Sequence, residues 1–587
     1  MRLCLIGHDK RYAVEQIMLA LFPKERPIYA EDQTICSPPG AIEHHAINAP
    51  PGAIEHHAIN APPGAIEDQT LNAPMPRSNL PVFSEYSAES RLAFGKKYAQ
   101  STTIISNGSM TSRGVSRVSI SSLTDKLTSD RLLQRIIKQS FYNAASRFVA
   151  TPPVWGSLTG IRPARLASAL LTSGKTETSA VKTLIKEYHV SAERAGLCVE
   201  AAHSAAIVSR SLAASDVALY VGIPFCPSRC AYCSFVSNDV EKSFNLVNPF
   251  TAALIGEISA MARLVEELKL RIIAIYVGGG TPTALPPESF LSVMNALCSS
   301  FDLSDAREFT IEAGRPETIT AQYLDIMHAC GARRVCVNPQ TMSQDVLNAI
   351  GRKHTPEDVI SAVELVRKYG MELNMDVIAG LPGDTSDTFA RTLDILLGLA
   401  PESITVHTLS NKKGSRIMLE DAHRPSGIEV ASMLDYASRS LRISGYSPYY
   451  LYRQKFTSGG FENTGWCLPG HESVYNICMM EELCTVLALG GGGVTKLVRS
   501  DATANDLATT PAAPAAHAAP TASAAPAAPA APATPAAPAA SATNIRIERI
   551  FNAKYPREYI SQSDTNQSDK SIRKIDAIRR FHLSEGE

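Results

Sequence analysis

Six short apolar runs alternate with helical stretches in the middle of the chain, and this alternation constrains the fold more than any other feature. The candidate strands are 217–223, 271–277, 308–312, 334–338, 373–378 and 403–409. Each gap holds a helical pattern; in 250–268, Leu254, Ile258, Met261, Leu264 and Leu268 recur on one face. Successive βα units predict an α/β fold in which a parallel sheet curls into a partial (β/α)6 barrel. In such folds the reacting groups stand just beyond the C-terminal ends of the strands, so the motifs there carry the functional argument.

The flanks divide the rest of the chain. Residues 1–129 predict a small α+β region, starting with a short strand and a helix, in which 100–123 reads as loose or edge-strand sequence. Within it, PPGAIEHHAINA at 38–49 recurs at 50–61 and, degenerately, at 62–73. A 12-residue period punctuated by proline is too short for a solenoid repeat. The paired histidines, His44, His45, His56 and His57, allow metal binding, and a duplicated flexible insert is the plainer reading. Residues 130–212 read as a helical linker region, 213–412 as the barrel, 413–501 as a C-terminal α+β domain, and 544–587 as its end with a closing helix.

Between the last two segments, 502–543 is almost only Ala, Pro, Ser and Thr, and the composition predicts a solvated spacer inserted into a domain. Of the 37 prolines of the chain, 14 lie in these two inserts, where they say little about function. The 56 basic against 57 acidic residues argue against a coat for nucleic acid or an anionic membrane. No apolar run reaches the ~20 residues of a spanning helix. Charges at Arg2, Asp9, Lys10 and Arg11 interrupt any signal-peptide core, so a cytoplasmic location is expected, with no integral membrane contact. In a reducing cytosol the 12 cysteines are core thiols or ligands, not a disulfide framework.

After the first predicted strand stands GIPFCPSRCAYC, with Cys226, Cys230 and Cys233 on one loop. Three thiolates at this spacing suit a [4Fe–4S] cluster that leaves one iron without a protein ligand. A zinc site completed by a distant histidine, or plain core cysteines, are the alternatives. The second strand ends in GGGTPT, where Gly279, Gly280 and Thr281 let backbone approach a ligand closely; a tight strand-to-helix turn accounts for it equally. Glu312, Asn338, Gln340, Asp376 and His407 lie at or near later strand ends, and Arg352 follows Gly351. Each alone has a plain explanation, as a helix-start carboxylate, a helix C-terminal cation or a core imidazole. Together, at the predicted barrel mouth, Glu312, Gln340, Arg352 and Asp376 read as ligands.

CxxxCxYC followed by GGTP resembles the radical S-adenosylmethionine (SAM) superfamily, in which the open iron binds SAM and an electron cleaves it to a 5′-deoxyadenosyl radical. YxGIPFC, GGGTPT, NPQTM, GRKH and DVIAGLPGD resemble its oxygen-independent coproporphyrinogen III oxidase family. LTGIRPARL at 158–166, FENTGW, YNICMMEE, GGGGVTK and NIRIERIFNAK resemble the HemZ-type coproporphyrinogen dehydrogenase subgroup. The likeness covers most of the chain from about Asp130 and the first helix, and neither insert.

The resemblance implies that Tyr220 and the Tyr232 backbone contact SAM, with Gly279, Gly280 and Thr281 along its methionine part. It also implies that Glu312 binds the SAM ribose, and that Gln340, Arg352 and Asp376 bind a second SAM. It implies oxidative decarboxylation of two propionates of coproporphyrinogen III to the vinyl groups of protoporphyrinogen IX, with electrons from a reductase or flavodoxin-type donor and no nucleic-acid partner. Hydrogen abstraction from the propionate β-carbon would precede loss of CO2 and one electron. Arg162, Lys412, Lys413, Arg453 and Lys496 are candidate propionate anchors, or solvated surface charges. The chain departs from the oxidase at two places. Gly222 stands where that family has His, and Phe235 where it has a fourth Cys. A heme-chaperone branch also lacks that Cys but keeps the His; heme trafficking without oxidase activity, or radical SAM chemistry on another substrate, are the alternative readings.

Overall fold

The computed structural model describes residues 1–23, 25–29, 86–233, 238–410, 425–454, 457–500, 545–563 and 569–583. The repeats at 38–73, the 502–543 tract, Phe235, Lys412 and Lys413 lie outside them. The chain divides into two compact units, Met1–Thr159 and Gly160–Glu587.

The first unit contains strands β1 (Arg2–Ile6), β2 (Ile28–Tyr29), β3 (Ser87–Phe94), β4 (Tyr98–Ser106) and β5 (Thr111–Ser119), with helices α1 (Arg11–Leu21) and α2 (Lys126–Ala145). The sheet order is β2-β1-β3-β4-β5. Val14, Ile17 and Met18 of α1 and Ile136, Ile137 and Phe141 of α2 share one core. The polar segment at 100–123, read from sequence as loose or edge-strand, forms a regular antiparallel ladder from Tyr98↔Ser119 to Ser106↔Thr111, with β5 at the sheet edge. Its buried face is polar because the hydroxyls of Ser101 and Thr103 meet the buried Ser140 hydroxyl of α2 at 2.8 and 2.9 Å. A buried hydroxyl is tolerated when it is hydrogen-bonded, so low hydrophobicity here does not mean loose structure.

The second unit opens with α3 (Pro163–Thr172), α4 (Glu177–Tyr188) and α5 (Ala192–Arg210). The alternating core follows: β6 (Asp216–Ile223), the short pair β7 (Phe225–Cys226) and β8 (Asn238–Asp239), α6 (Val247–Glu267), β9 (Arg271–Gly279), α7 (Pro287–Ser300) and β10 (Glu308–Ile311). It continues through α8 (Ala321–Ala329), β11 (Arg334–Cys336), α9 (Gln344–Ala349), α10 (Pro356–Lys368), β12 (Glu372–Ala379), α11 (Ser386–Leu399) and β13 (Ser403–Thr408). All six predicted strands are present, and they pair in parallel in sequence order.

Beyond them lie α12 (Gly427–Ile443), β14 (Ser447–Arg453), β15 (Glu462–Cys467), α13 (Val474–Glu481), β16 (Thr485–Gly490), β17 (Val494–Ser500), β18 (Ile545–Phe551), α14 (Pro556–Ser563) and α15 (Asp569–Leu583). The complete sheet has 11 strands in the order β14-β15-β13-β12-β11-β10-β9-β6-β16-β17-β18. β16 is a seventh parallel strand, paired with β6 from Thr485↔Val217 to Gly490↔Gly222. Parallel strands are covered on both faces, which explains their nearly continuous apolar sequences.

On the face that carries Tyr220 and Tyr276, α13 supplies the cover: Tyr475 and Cys478 pack with Ala218, Ala274 and Val486. The turn before α13 is fixed to β10, because Glu308 accepts hydrogen bonds from the Ser473 hydroxyl at 2.7 Å and the Tyr475 amide at 2.9 Å. Arg334 pairs with Glu308 and Glu372 beside it, satisfying the buried charges in the first half of the sheet. Among the described residues, no helix is long and apolar enough to cross a membrane.

Candidate functional site

The cysteine loop leaves the end of β6 and is tied back to the barrel at both ends. Phe225 and Cys226 pair in parallel with Asn238 and Asp239. The Ala231 amide donates to the Ile350 carbonyl at 3.0 Å, fastening the loop to the end of α9. The GGGTPT turn closes over the same loop. The Gly280 amide donates to Ile223 O and the Thr281 amide to Phe225 O, both at 2.7 Å. A Cβ on Gly280 would run into that same Phe225 carbonyl, and Gly279 sits at φ +106°. The glycines are therefore required first by one loop crossing another. The Thr281 hydroxyl points at Cys226 Sγ, 3.5 Å away.

Cys226 and Cys233 are half-buried and Cys230 is buried. Among the described residues, no three His, Cys, Asp or Glu side chains converge tightly enough to hold a single metal ion. A cluster offers a separate iron to each thiolate and asks only for three cysteines along one loop. The charge around the loop fits an anionic group. Arg315, 3% exposed, donates to Cys230 Sγ at 3.1 Å, and also to the Ser228 carbonyl and hydroxyl. Arg352, 6% exposed, donates to the Gly314 carbonyl and the Tyr232 hydroxyl.

The strand ends next to the loop gather the remaining candidates. Glu312 accepts from the Tyr276 hydroxyl at 2.8 Å and the Asn338 amide at 3.2 Å. Asp376 accepts from the Asn374 amide at 2.9 Å and lies 3.5 Å from His407 Nε2. The two carboxylates are pushed apart in acidity. Burial and the neighbouring Asp376 charge push Glu312 up to about 7. Burial would raise Asp376 too, but the hydrogen bond and charge of His407 hold it below its ordinary range, and His407 is raised in return. Asp376 and His407 thus each favour the other's charged form, while Glu312 is held toward its neutral form.

Gln340 has φ +68°, a left-handed conformation rare for a residue other than glycine. Its amide donates to Asp376 O and its carbonyl accepts from Ile378 N, so two backbone bonds to β12 hold the strain in place. The Gln340 Oε1, Asn338 Oδ1 and Arg352 Nε atoms are buried and have no protein partner. Buried polar atoms are normally satisfied, so these three orphans, two just beyond β11 and one just beyond α9, fit a polar ligand seated among them. Tyr220 completes the group from β6. Its ring stacks on Tyr475, which stacks in turn on Tyr276 at 4.7 Å.

Sequence reasoning missed Arg315, Tyr276 and Tyr475. Arg315 stands two residues beyond Gly314's predecessor in EAGRPE, with nothing in the local pattern to aim it at Cys230; Tyr475 reaches the site only through α13. Two proposed propionate anchors belong elsewhere. Arg162, Arg165 and Arg549 pair with Glu482, and Lys496 donates to the Met479 carbonyl. These cations gather at the C-terminal end of α13, where they complement unpaired carbonyls and the helix dipole. Lys496 pairs with Val486, itself opposite Ala218, four residues before Gly222. At ~3.3 Å per residue this is roughly 13 Å short of the end of β6. Arg453 donates to the Gly460 carbonyl.

The comparisons agree with this geometry. The radical SAM superfamily profile matches residues 220–396, from Tyr220 into α11. The oxygen-independent coproporphyrinogen-III oxidase-like protein HemZ of Bacillus subtilis is 38% identical over 382 residues, covering 63% of this chain and 75% of that protein. The heme chaperone HemW of Buchnera aphidicola is 28% identical over 233 residues, covering 40% of this chain and 61% of its own. The oxygen-independent coproporphyrinogen III oxidase of Pseudomonas aeruginosa is 30% identical over 242 residues, covering 40% of this chain and 52% of its own. The chain therefore belongs to the HemZ- and HemN-like coproporphyrinogen oxidase family of radical SAM proteins, which work with a [4Fe–4S] cluster and SAM.

Proposed function

We propose that the protein is an oxygen-independent coproporphyrinogen III oxidase, converting two propionate side chains of coproporphyrinogen III to the vinyl groups of protoporphyrinogen IX. The observation that carries an enzymatic reading is the set of orphaned polar atoms on Asn338, Gln340 and Arg352, beside the cysteine loop and the Glu312–Asp376 pair. Cys226, Cys230 and Cys233 would hold the cluster. Bound there, a [4Fe–4S] cluster would supply one-electron reductive chemistry toward SAM.

Around it, Tyr220, the Tyr232 backbone and the Gly279–Thr281 turn would position the first SAM. Glu312 would accept hydrogen bonds from its ribose hydroxyls. Gln340, Arg352 and Asp376 would hold a second SAM. A flavodoxin-type reductase would deliver electrons in a reducing cytosol, where the eleven described cysteines, all free thiols, would persist.

Heme trafficking is the second reading, favoured by the similarity to HemW. Position 222 speaks against it. A Cβ there would lie 2.6 Å from the Gly491 carbonyl, so the packing of the β16 loop leaves no room for the histidine of the chaperone branch. Anaerobic assay of reconstituted protein with SAM, reductant and coproporphyrinogen III separates the readings. Protoporphyrinogen is expected, and its loss in Cys230→Ala. SAM cleavage with no porphyrinogen turnover would sink the oxidase reading, and tight heme binding without turnover would favour trafficking.

A further inference from the structure

Arg315 is buried beside the cysteine loop with more positive charge around it than protein anions to match. Its Nη2 lies 2.7 Å from Ser228 O, 3.2 Å from Ser228 Oγ and 3.1 Å from Cys230 Sγ. Its Nη1 reaches Glu317 Oε1 only at 3.4 Å. Glu317 is shared with His354, 3.3 Å away on its other oxygen. The second guanidinium, Arg352, has as its side-chain partner the Tyr232 hydroxyl at 3.0 Å. Two guanidiniums of 3% and 6% exposure thus lie here, Arg315 paired with Glu317 and Arg352 bonded to a carbonyl and a hydroxyl. Buried charge is costly unless it is matched, and the Arg315 guanidinium is turned onto the Cys230 sulfur.

We infer that Arg315 positions Cys230 and, through a charge-assisted hydrogen bond to its sulfur, sets the reduction potential of the cluster. Three thiolates leave the resting cluster net anionic, and reduction adds another negative charge. A fixed cation bonded to one ligand sulfur stabilises the reduced form and raises the potential. The guanidinium fork also ties the sulfur to the Ser228 carbonyl, which fixes the loop in the conformation that presents the cysteine. Arg315 acts through Cys230 and is a positioning residue. The inference rests on the cofactor reading and is independent of the substrate.

The test uses the full chain, reconstituted anaerobically without SAM, with iron and sulfide content and an EPR-monitored redox titration as readouts. Arg315→Gln keeps a donor and removes the charge; Arg315→Lys keeps the charge and removes the fork. With iron content unchanged, the Gln variant is expected to show at least a tenfold smaller reduced-to-oxidised ratio at fixed potential. For a one-electron couple that is a midpoint lower by about 59 mV. The Lys variant should recover most of the difference.

Wild-type midpoints in both variants overturn the inference. So does a Lys variant no better than Gln, or loss of iron from both variants with native far-UV circular dichroism. If Arg315→Gln alone loses iron, the Lys midpoint decides: within a threefold ratio of wild type supports the role, and a larger fall overturns it. The cofactor reading fails separately, if Cys226→Ala, Cys230→Ala and Cys233→Ala all leave the iron content unchanged.

Discussion

At the scale of single residues, the site is a problem of placing charge out of water. Glu312 and Asp376 share one buried region, and His407 decides which of them stays ionised. The consequence for stability has a definite sign. Glu312 is raised from 4.5 to about 7 in the fold, so its protonated form is favoured there. Its contribution is fully present below about pH 4.5 and is lost as pH rises through 7. Linkage bounds the loss at about 3 kcal/mol. Glu312→Gln should therefore raise the melting temperature of cofactor-free protein at pH 8 and leave it nearly unchanged at pH 4.5. Asn338 can turn its unpartnered Oδ1 toward the new amide. Calorimetry at the two pH values checks this, and equal effects at both would refute the assignment. Much of the site is legible at this scale because its motifs are local: the three cysteines and GGGTPT each lie within one turn of chain. Arg315 is not legible, because its meaning lies in a sulfur 85 positions earlier that only the tertiary fold brings within 3.1 Å.

At the scale of elements, the six predicted βα units are visible because a buried parallel strand is an uninterrupted apolar run followed by a helical period. The seventh parallel strand was hidden by topology. β16 follows an antiparallel pair and returns to the opposite side of the sheet, beside β6, and nothing local encodes that return. Its glycines carry the trace: Gly490 at φ +80° and Gly222 are paired, and a Cβ on either would strike the other's loop. The loop is held by Glu257 of α6. That carboxylate accepts from the Gly490 amide at 2.8 Å, Tyr559 at 2.5 Å, Asn552 at 3.1 Å and Lys574 at 2.7 Å. One buried glutamate thus fastens β18, α14 and α15 to the strand that flanks the cysteine loop. Burial alone would raise its pKa, but Lys574 and the other donors hold it below its ordinary value and keep the carboxylate charged. Glu257→Gln leaves Lys574 buried without a counter-ion, at a cost of about 3 kcal/mol. The predicted outcome is faster hydrogen exchange and earlier proteolytic cleavage within 569–583, while the core of the first unit exchanges as before. Unchanged protection of α15 would show that the network is not what holds it.

For the whole molecule, length and machinery differ, and the registers of β17 and β18 show where the extra sequence enters. The two strands pair antiparallel without a break from Val494↔Phe551 to Ser500↔Ile545. Residues 501–544, with the Ala- and Pro-rich tract, therefore leave and rejoin the chain at one hairpin end, between partners already side by side. A hairpin of this geometry needs only a short connection. The register is set by the strands, by Arg549 on Glu482, and by the bonds of Asn552 to Gly490 and Glu257. Replacing 501–544 by a four-residue Gly- and Asn-containing turn should keep all of these. Loop closure scales with the logarithm of length, so a tenfold shorter connection should stabilise the hairpin by about 2 kcal/mol if the tract behaves as an unstructured chain. The shortened protein is expected to melt at or above the temperature of the full chain, with unchanged iron content after reconstitution and unchanged SAM cleavage. A drop in melting temperature would mean that the tract contributes contacts of its own. Intact stability with lost turnover would assign it a part in reaching the electron donor or the substrate. Because strand pairing, cluster loading and catalysis are read separately, the one excision places the insert either outside the machinery or at a defined step within it.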